Sequence, residues 1–245
     1  MKTLRMFGMA MLAIVMGVSL SSCSRDENPK VDEKKLARIS YTHGDYTQFT
    51  YDDKGRVIVT EDISMSEGCT WKETMEWEDD AVKITTIEKG YEAYPGNYTL
   101  SLVNGLVKER FSSDSGLYTY DYNKSNRLIE WGKEGSKISI IWDGDRMVSV
   151  KRESSNITIT YGRSCEKGYF PFFGDTVGTW FYILNAHPEL AGLRSTQIPE
   201  IITYTYDSGK SSVEIYSYEF DQDGYISKII VSGETNTRTY TLTWE

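Results

Sequence analysis

The sequence predicts an all-β protein: a curved antiparallel β-meander of repeated hairpins, about 14–16 strands in all, with one helical insertion. Three observations lead there. The chain carries 18 tyrosines and 6 tryptophans but only 5 prolines, a composition that suits pleated, half-buried surfaces. Its strand-like stretches alternate with period two. A short phrase, an aromatic strand end followed by Asp, Asn or Gly and then a new strand, recurs along the chain.

The alternation is clearest in three places. Tyr118, Tyr120 and Tyr122 share one face, with Thr119 and Asp121 on the other. Ile157, Ile159 and Tyr161 oppose Thr158 and Thr160, and Tyr240, Leu242 and Trp244 oppose Thr239, Thr241 and Thr243. A large apolar face backed by a threonine-rich one defines a sheet packed on one side and wet on the other.

The recurring phrase begins as Phe49-Thr50-Tyr51-Asp52-Asp53-Lys54-Gly55-Arg56-Val57 and returns around Trp77, Leu102, Tyr122, Trp142 and Phe220. Up to Trp142 the closing residues lie roughly 20–26 positions apart, room for two strands of about 6–7 residues and two turns. Asp, Asn and Gly at the tips supply the positive φ and side-chain-to-backbone bonds of tight turns.

Residues 162–200 interrupt the repeat. Tyr169-Phe170-Pro171-Phe172-Phe173-Gly174 is rich in rings. Asp175 or Thr176 can cap a helix on which Val177, Trp180, Phe181 and Leu184 recur at i, i+3, i+4 and i+7. His187-Pro188 stops it, because a residue before proline avoids helical geometry. The expected role is a plug over the sheet's apolar face, which requires a cover; the competing role is a lid or binding loop. Cys69 and Cys165 are expected as thiols. A meander puts them at opposite sheet edges about 20 Å apart, and a disulfide tolerates about 7 Å.

At the N-terminus, Lys2 and Arg5 precede an apolar stretch from Met6 to Leu20, then Ser21-Ser22-Cys23. The stretch is shorter than the roughly 20 residues of a membrane-spanning helix, and the layout is that of a secretion signal. It resembles the lipobox of bacterial lipoproteins. That resemblance implies lipid attachment at Cys23, which then becomes the N-terminus. The expected organisation is a signal peptide over 1–22, a flexible tether over 23–35 too polar to fold, and one β-meander domain over 36–245. Asp26-Glu27 looks like the acidic export tag of Bacteroidetes surface lipoproteins, which implies an outer-membrane lipoprotein exposed at the cell surface.

Without residues 1–22 the chain holds 25 basic and 36 acidic residues, a net charge of −11. No basic cluster interleaves with aromatics, so nucleic acid is not an expected partner. The expected membrane contact is through the lipid on Cys23. An outer-membrane barrel is not expected either. Membrane strands run about 9–11 residues with an apolar outer face, whereas the second face here carries Thr, Lys and Glu.

Tyr51-Asp52-x-x-Gly55-Arg56-Val57 and Phe220-Asp221-x-x-Gly224-Tyr225-Ile226 resemble YD (Rhs-type) hairpin repeats. The copies at Trp77 and Leu102 depart from the Tyr-Asp form. From about residue 23 to 245 the chain resembles a family of Bacteroidetes lipoproteins whose shared domain has no assigned function. The resemblance rests on the tether, the hairpins, the apolar insertion and the re-entry Ile198-Pro199-Glu200-Ile201-Ile202-Thr203-Tyr204. It implies no catalytic residues.

The residues themselves indicate no catalytic group, metal or cofactor. His43 and His187 lack metal-ligand spacing, and no nucleophile elbow or phosphate loop occurs. Asp221-Gln222-Asp223-Gly224 matches part of a calcium loop but lacks its further ligands, so a β-turn is expected. Tyr91, Tyr94, Phe170 and Phe173 lie off the regular strands and are the candidates for exposed ligand contacts. The expected function is a non-catalytic binding or scaffold module for a glycan, peptide or partner protein. The alternative is an envelope hydrolase whose paired carboxylates would converge about 5–10 Å apart in a cleft.

Overall fold

A computed structural model describes residues 33–65, 68–89, 96–179 and 182–245. The expected signal peptide, most of the tether including Cys23, and Tyr91, Tyr94, Trp180 and Phe181 lie outside the described residues. Sixteen strands follow one another in chain order: β1 (Leu36–Tyr41), β2 (Tyr46–Tyr51), β3 (Val57–Ser64), β4 (Cys69–Trp77), β5 (Ala81–Lys89), β6 (Asn97–Val103), β7 (Leu106–Ser112) and β8 (Gly116–Tyr122). Then come β9 (Leu128–Lys133), β10 (Ser136–Asp143), β11 (Arg146–Lys151), β12 (Ser155–Ser164), β13 (Gln197–Tyr206), β14 (Ser211–Phe220), β15 (Ile226–Ser232) and β16 (Thr237–Trp244). Each pairs antiparallel with its sequence neighbours, and β1 also pairs with β16 through Ile39↔Leu242 and Tyr41↔Tyr240.

The sheet is therefore closed. The sequence leads one to expect an open, curved meander; the structure corrects this to a 16-strand barrel. An open meander would leave the backbone donors and acceptors of β1 and β16 unpaired at two edges, and closure removes both. The seam continues past the strands, where Lys35 N–H donates to the Glu245 carbonyl (2.6 Å) and Glu245 N–H to that of Lys35 (2.9 Å). Lys34 N–H donates to the Tyr225 hydroxyl at 2.9 Å. Residues expected at the end of the tether are thus tied to the barrel.

The period-two pattern maps onto inside and outside. Ile39, Phe49, Ile84, Leu100, Tyr120, Ile140, Ile157, Ile229 and Leu242 point inward and are buried. Thr158, Thr160, Thr241, Thr243, Lys83 and Lys137 point outward and are exposed. Outward ion pairs bridge neighbouring strands: Lys72–Glu61 (2.9 Å), Lys137–Glu130 (2.6 Å) and Lys228–Glu219 (2.8 Å). Exposed pairs add little stability; exposed Phe111, Leu117, Ile141 and Ile215 also lie on the strands.

The recurring phrase builds a recurring corner. The closing aromatic of an even-numbered strand reaches back to a backbone carbonyl at the start of the preceding odd-numbered one. Tyr51, Tyr122 and Tyr161 donate their hydroxyls to Leu36, Val107 and Met147 at 2.6–2.9 Å. Trp77, Trp142 and Trp244 donate their indole N–H to Val57, Leu128 and Ile226, each at 2.7 Å. A bulge precedes Tyr51, Tyr122 and Trp142, turning the aromatic inward as the strand bends. Asp52, Asn123 and Asp221 then each accept two backbone N–H groups, two and four residues further on, which is why an Asx residue follows the aromatic. All these corners lie at one end of the barrel, the end at which residues 33–35 join it. The opposite end is the mouth.

The insertion fills the barrel. It leaves β12 at the corner end, runs inside toward the mouth and returns to β13. The single helix expected from Asp175 or Thr176 is instead two five-residue helices, α1 (Phe173–Val177) and α2 (Tyr182–Ala186), followed by a 3-10 turn over Pro188–Ala191. Gly178 ends α1 at φ +78°, and Phe172 rather than Asp175 is its N-cap. Tyr169 donates its hydroxyl to the Ala186 carbonyl (2.7 Å), joining the two limbs. The wall grips the plug along its length: Trp131 N–H to Val177 O (3.0 Å), Arg152 to Thr176 O (2.7 Å), Tyr182 hydroxyl to Asp62 (2.9 Å), and Val57 N–H to His187 Nε2 (3.2 Å). Of the two expected roles for this segment, the plug describes its placement. Cys165 is buried at its base, and it and Cys69 do not form a disulfide.

Candidate functional site

A groove crosses the mouth. Its wider part, about 510 Å³, is lined by Tyr41, His43, Asp45, Asp62, Arg238 and Tyr240. It continues past Arg238 and Tyr240 into a recess of about 130 Å³ walled by Phe172, Asp175, Tyr204, Glu214 and Tyr216. The elements position these groups by register. Tyr41 and Tyr240 face each other across the closing seam, with ring centroids 5.6 Å apart and edge-on. Phe172, at the tip of the plug, packs 4.8 Å from Tyr240. Clefts beside Gly162–Arg163 (about 340 Å³) and beside Asp221–Gly224 (about 590 Å³) lie at the corner end. At the latter, Lys34 Nζ sits 2.6 Å from Asp223 and 3.9 Å from Asp221. Lys34 thus pairs with the acids of this turn, and Asp221 accepts the turn's own backbone N–H groups.

Most acids at the mouth are bonded from within the protein. Asp62 accepts the hydroxyls of Thr47 (2.6 Å) and Tyr182 (2.9 Å). Asp45 accepts the Met65 N–H at 2.8 Å. Glu214 accepts the hydroxyls of Tyr216 (2.8 Å) and Tyr204 (3.3 Å) and pairs with Arg238. Asp175 accepts no side-chain bond of this kind. Although exposed along one edge, it is crowded by plug and wall, and desolvation pushes its carboxyl up to about 6. Deeper inside, Glu73 is only 3% exposed. It accepts the hydroxyls of Tyr98 (2.7 Å) and Thr60 (3.2 Å), and burial raises its pKa. Closed off from solvent, it knots β3, β4 and β6 together. Among the described residues, the groove and recess offer ring faces, hydroxyls, the His43 imidazole, the Arg238 guanidinium and the unengaged Asp175 carboxylate, a set suited to holding a ligand.

The sequence-predicted contacts lie elsewhere. Phe170 and Phe173 are 0% exposed, 4.9 Å apart, and Phe170 packs 5.8 Å from Tyr216. They lie off the regular strands because they form the heart of the plug, so their expected exposure is corrected. Tyr91, Tyr94 and Cys23 lie outside the described residues. The mouth residues left a signal of their own: Glu214 and Arg238 are charged residues at inward positions of β14 and β16, beside Tyr216 and Tyr240.

The architecture defines the class: a closed, 16-strand antiparallel barrel filled by its own insertion. No family model and no curated protein matches the sequence. Among solved structures, the crystal structure of a porin-like protein from Bacteroides uniformis is similar, at 18% identity and a TM-score of 0.65, covering 86% of this chain and 98% of that one. A porin-like protein from Bacteroides vulgatus is similar at 13% identity and a TM-score of 0.60, covering 86% and 99%. Identities this low establish a shared fold.

Proposed function

We propose that this protein is a lipid-anchored barrel of the cell envelope that stands in water beside the membrane and binds a glycan, peptide or partner protein, without catalysis, through its mouth. The observation that carries this reading is polarity. A membrane barrel turns an apolar band about 25 Å tall toward lipid and keeps a polar interior. This one turns threonines, lysines and glutamates outward, with exposed apolar side chains such as Phe111, Ile141 and Ile215 among them, and closes its apolar interior over a plug. The porin-like description of its structural neighbours supports an envelope setting. The signal-like N-terminus and Cys23 supply the anchor, and the chain joins the barrel at the end remote from the groove.

Arrays of glycans and envelope peptides test the reading. Wild-type protein should be retained on a subset of features, and an Arg238→Ala/Tyr240→Ala double variant that unfolds at the wild-type temperature should lose that retention. Undiminished retention by the variant would remove the mouth from consideration. Turnover of a polysaccharide panel by the wild type, with no retention, would favour an envelope hydrolase instead.

A further inference from the structure

One carboxylate at the mouth differs from its neighbours. Asp45, Asp62 and Glu214 are engaged by donors of the protein. Asp175, in the first turn of α1 at the tip of the plug, makes no side-chain hydrogen bond or ion pair among the described residues and is exposed. It opens onto the recess walled by Phe172, Tyr204, Tyr216 and Tyr240. Aromatic faces carry the negative part of the ring quadrupole and attract cations. Arg238 lines the recess from β16 and pairs with Glu214, whose carboxylate also accepts the Tyr204 and Tyr216 hydroxyls. One cation is thus accommodated, and a second acid is left over.

Resting on the reading of the mouth as a binding site, we infer that Asp175 is the counter-ion for the side-chain ammonium of a lysine presented by a peptide or partner protein. Shape favours a lysine tail over an amino sugar. The recess is a narrow branch of about 130 Å³ walled largely by aromatic rings, along which a slender alkyl chain packs while its ammonium meets the carboxylate. Desolvation without a compensating cation also raises the Asp175 carboxyl, a cost that a bound ammonium offsets.

The probe is n-butylammonium, the lysine tail alone, titrated into the full mature protein and followed by ligand-observed NMR, with glucosamine and n-butanol as comparison ligands. Wild type should bind n-butylammonium in preference to both. Asp175→Asn should weaken it at least tenfold, Asp175→Glu should recover part of the loss, and Asp121→Asn, on the outer face away from the mouth, should leave it unchanged. Equal binding by Asp175→Asn, a preference for glucosamine, or no n-butylammonium binding to wild type would overturn the assignment. Failure here with array retention intact removes the lysine site and leaves the mouth as a binding surface; loss of array retention removes the broader reading.

Discussion

Gly192→Ala should cost more than about 4 kcal/mol, a size reserved for a short list of severe defects. Gly192 ends the 3-10 turn at φ +61°, where a Cβ alone costs about 1 kcal/mol. The larger part is steric. A Cβ at this position would lie 2.1 Å from the Asn126 carbonyl oxygen and 3.2 Å from the Leu128 nitrogen. Both are backbone atoms of the β8–β9 corner, held by the Asn123 side chain and by the Trp142 bond to Leu128 O. Neither can retreat without undoing that corner. Gly105→Ala is the matched control: its φ is +77°, but nothing lies within 4 Å of the added methyl. For a domain of this size each kcal/mol shifts the melting temperature by about 2–4 °C. Calorimetry should therefore show Gly105→Ala melting a few degrees below wild type and Gly192→Ala at least about 8 °C below, or failing to fold. Equal losses would mean that the plug is not seated against the corner.

Phe173→Ala should destabilise by about 3–5 kcal/mol, the loss expected when a fully buried phenylalanine leaves a cavity. Its ring is wholly enclosed, 4.9 Å from Phe170, and the short helix bearing it cannot collapse into the gap while Arg152 and Trp131 hold its C-terminal carbonyls. Phe111, outward on β7 and 56% exposed, provides the contrast: Phe111→Ala should stay within about 0.5 kcal/mol. Denaturant unfolding distinguishes the cases. If Phe173→Ala retained wild-type stability, the insertion would be a loosely docked lid.

What the sequence made legible was local. Tyr120 between Thr119 and Asp121, or Leu242 between two threonines, states which face is inward, and aromatic-Asx-Gly corners state where strands turn. The insertion's role as a cover followed from the apolar face that needs one. Closure was not legible. Ile39 and Leu242 become neighbours from opposite ends of the chain, and nothing in either stretch names the other. The broken helix carried a weak sign in Gly178, but the spacing of Val177, Trp180, Phe181 and Leu184 spoke louder. Phe170 and Phe173 leave the strand pattern, which suggests exposed ligand contacts, but in a plug that departure means the core. The mouth was hidden for the converse reason. Tyr240 reads as an ordinary inward residue, and among the described residues Asp62, Glu214 and Arg238, charged at inward positions, mark where the interior ends.

A barrel with its apolar side inward and its outer face in water needs no detergent. The chain produced from Ser24 onward and sedimented without detergent should be a folded, β-rich protein that stays in the supernatant as a discrete species. Folding only when detergent or lipid is supplied, with aggregation otherwise, would mean that the outer face is turned to lipid.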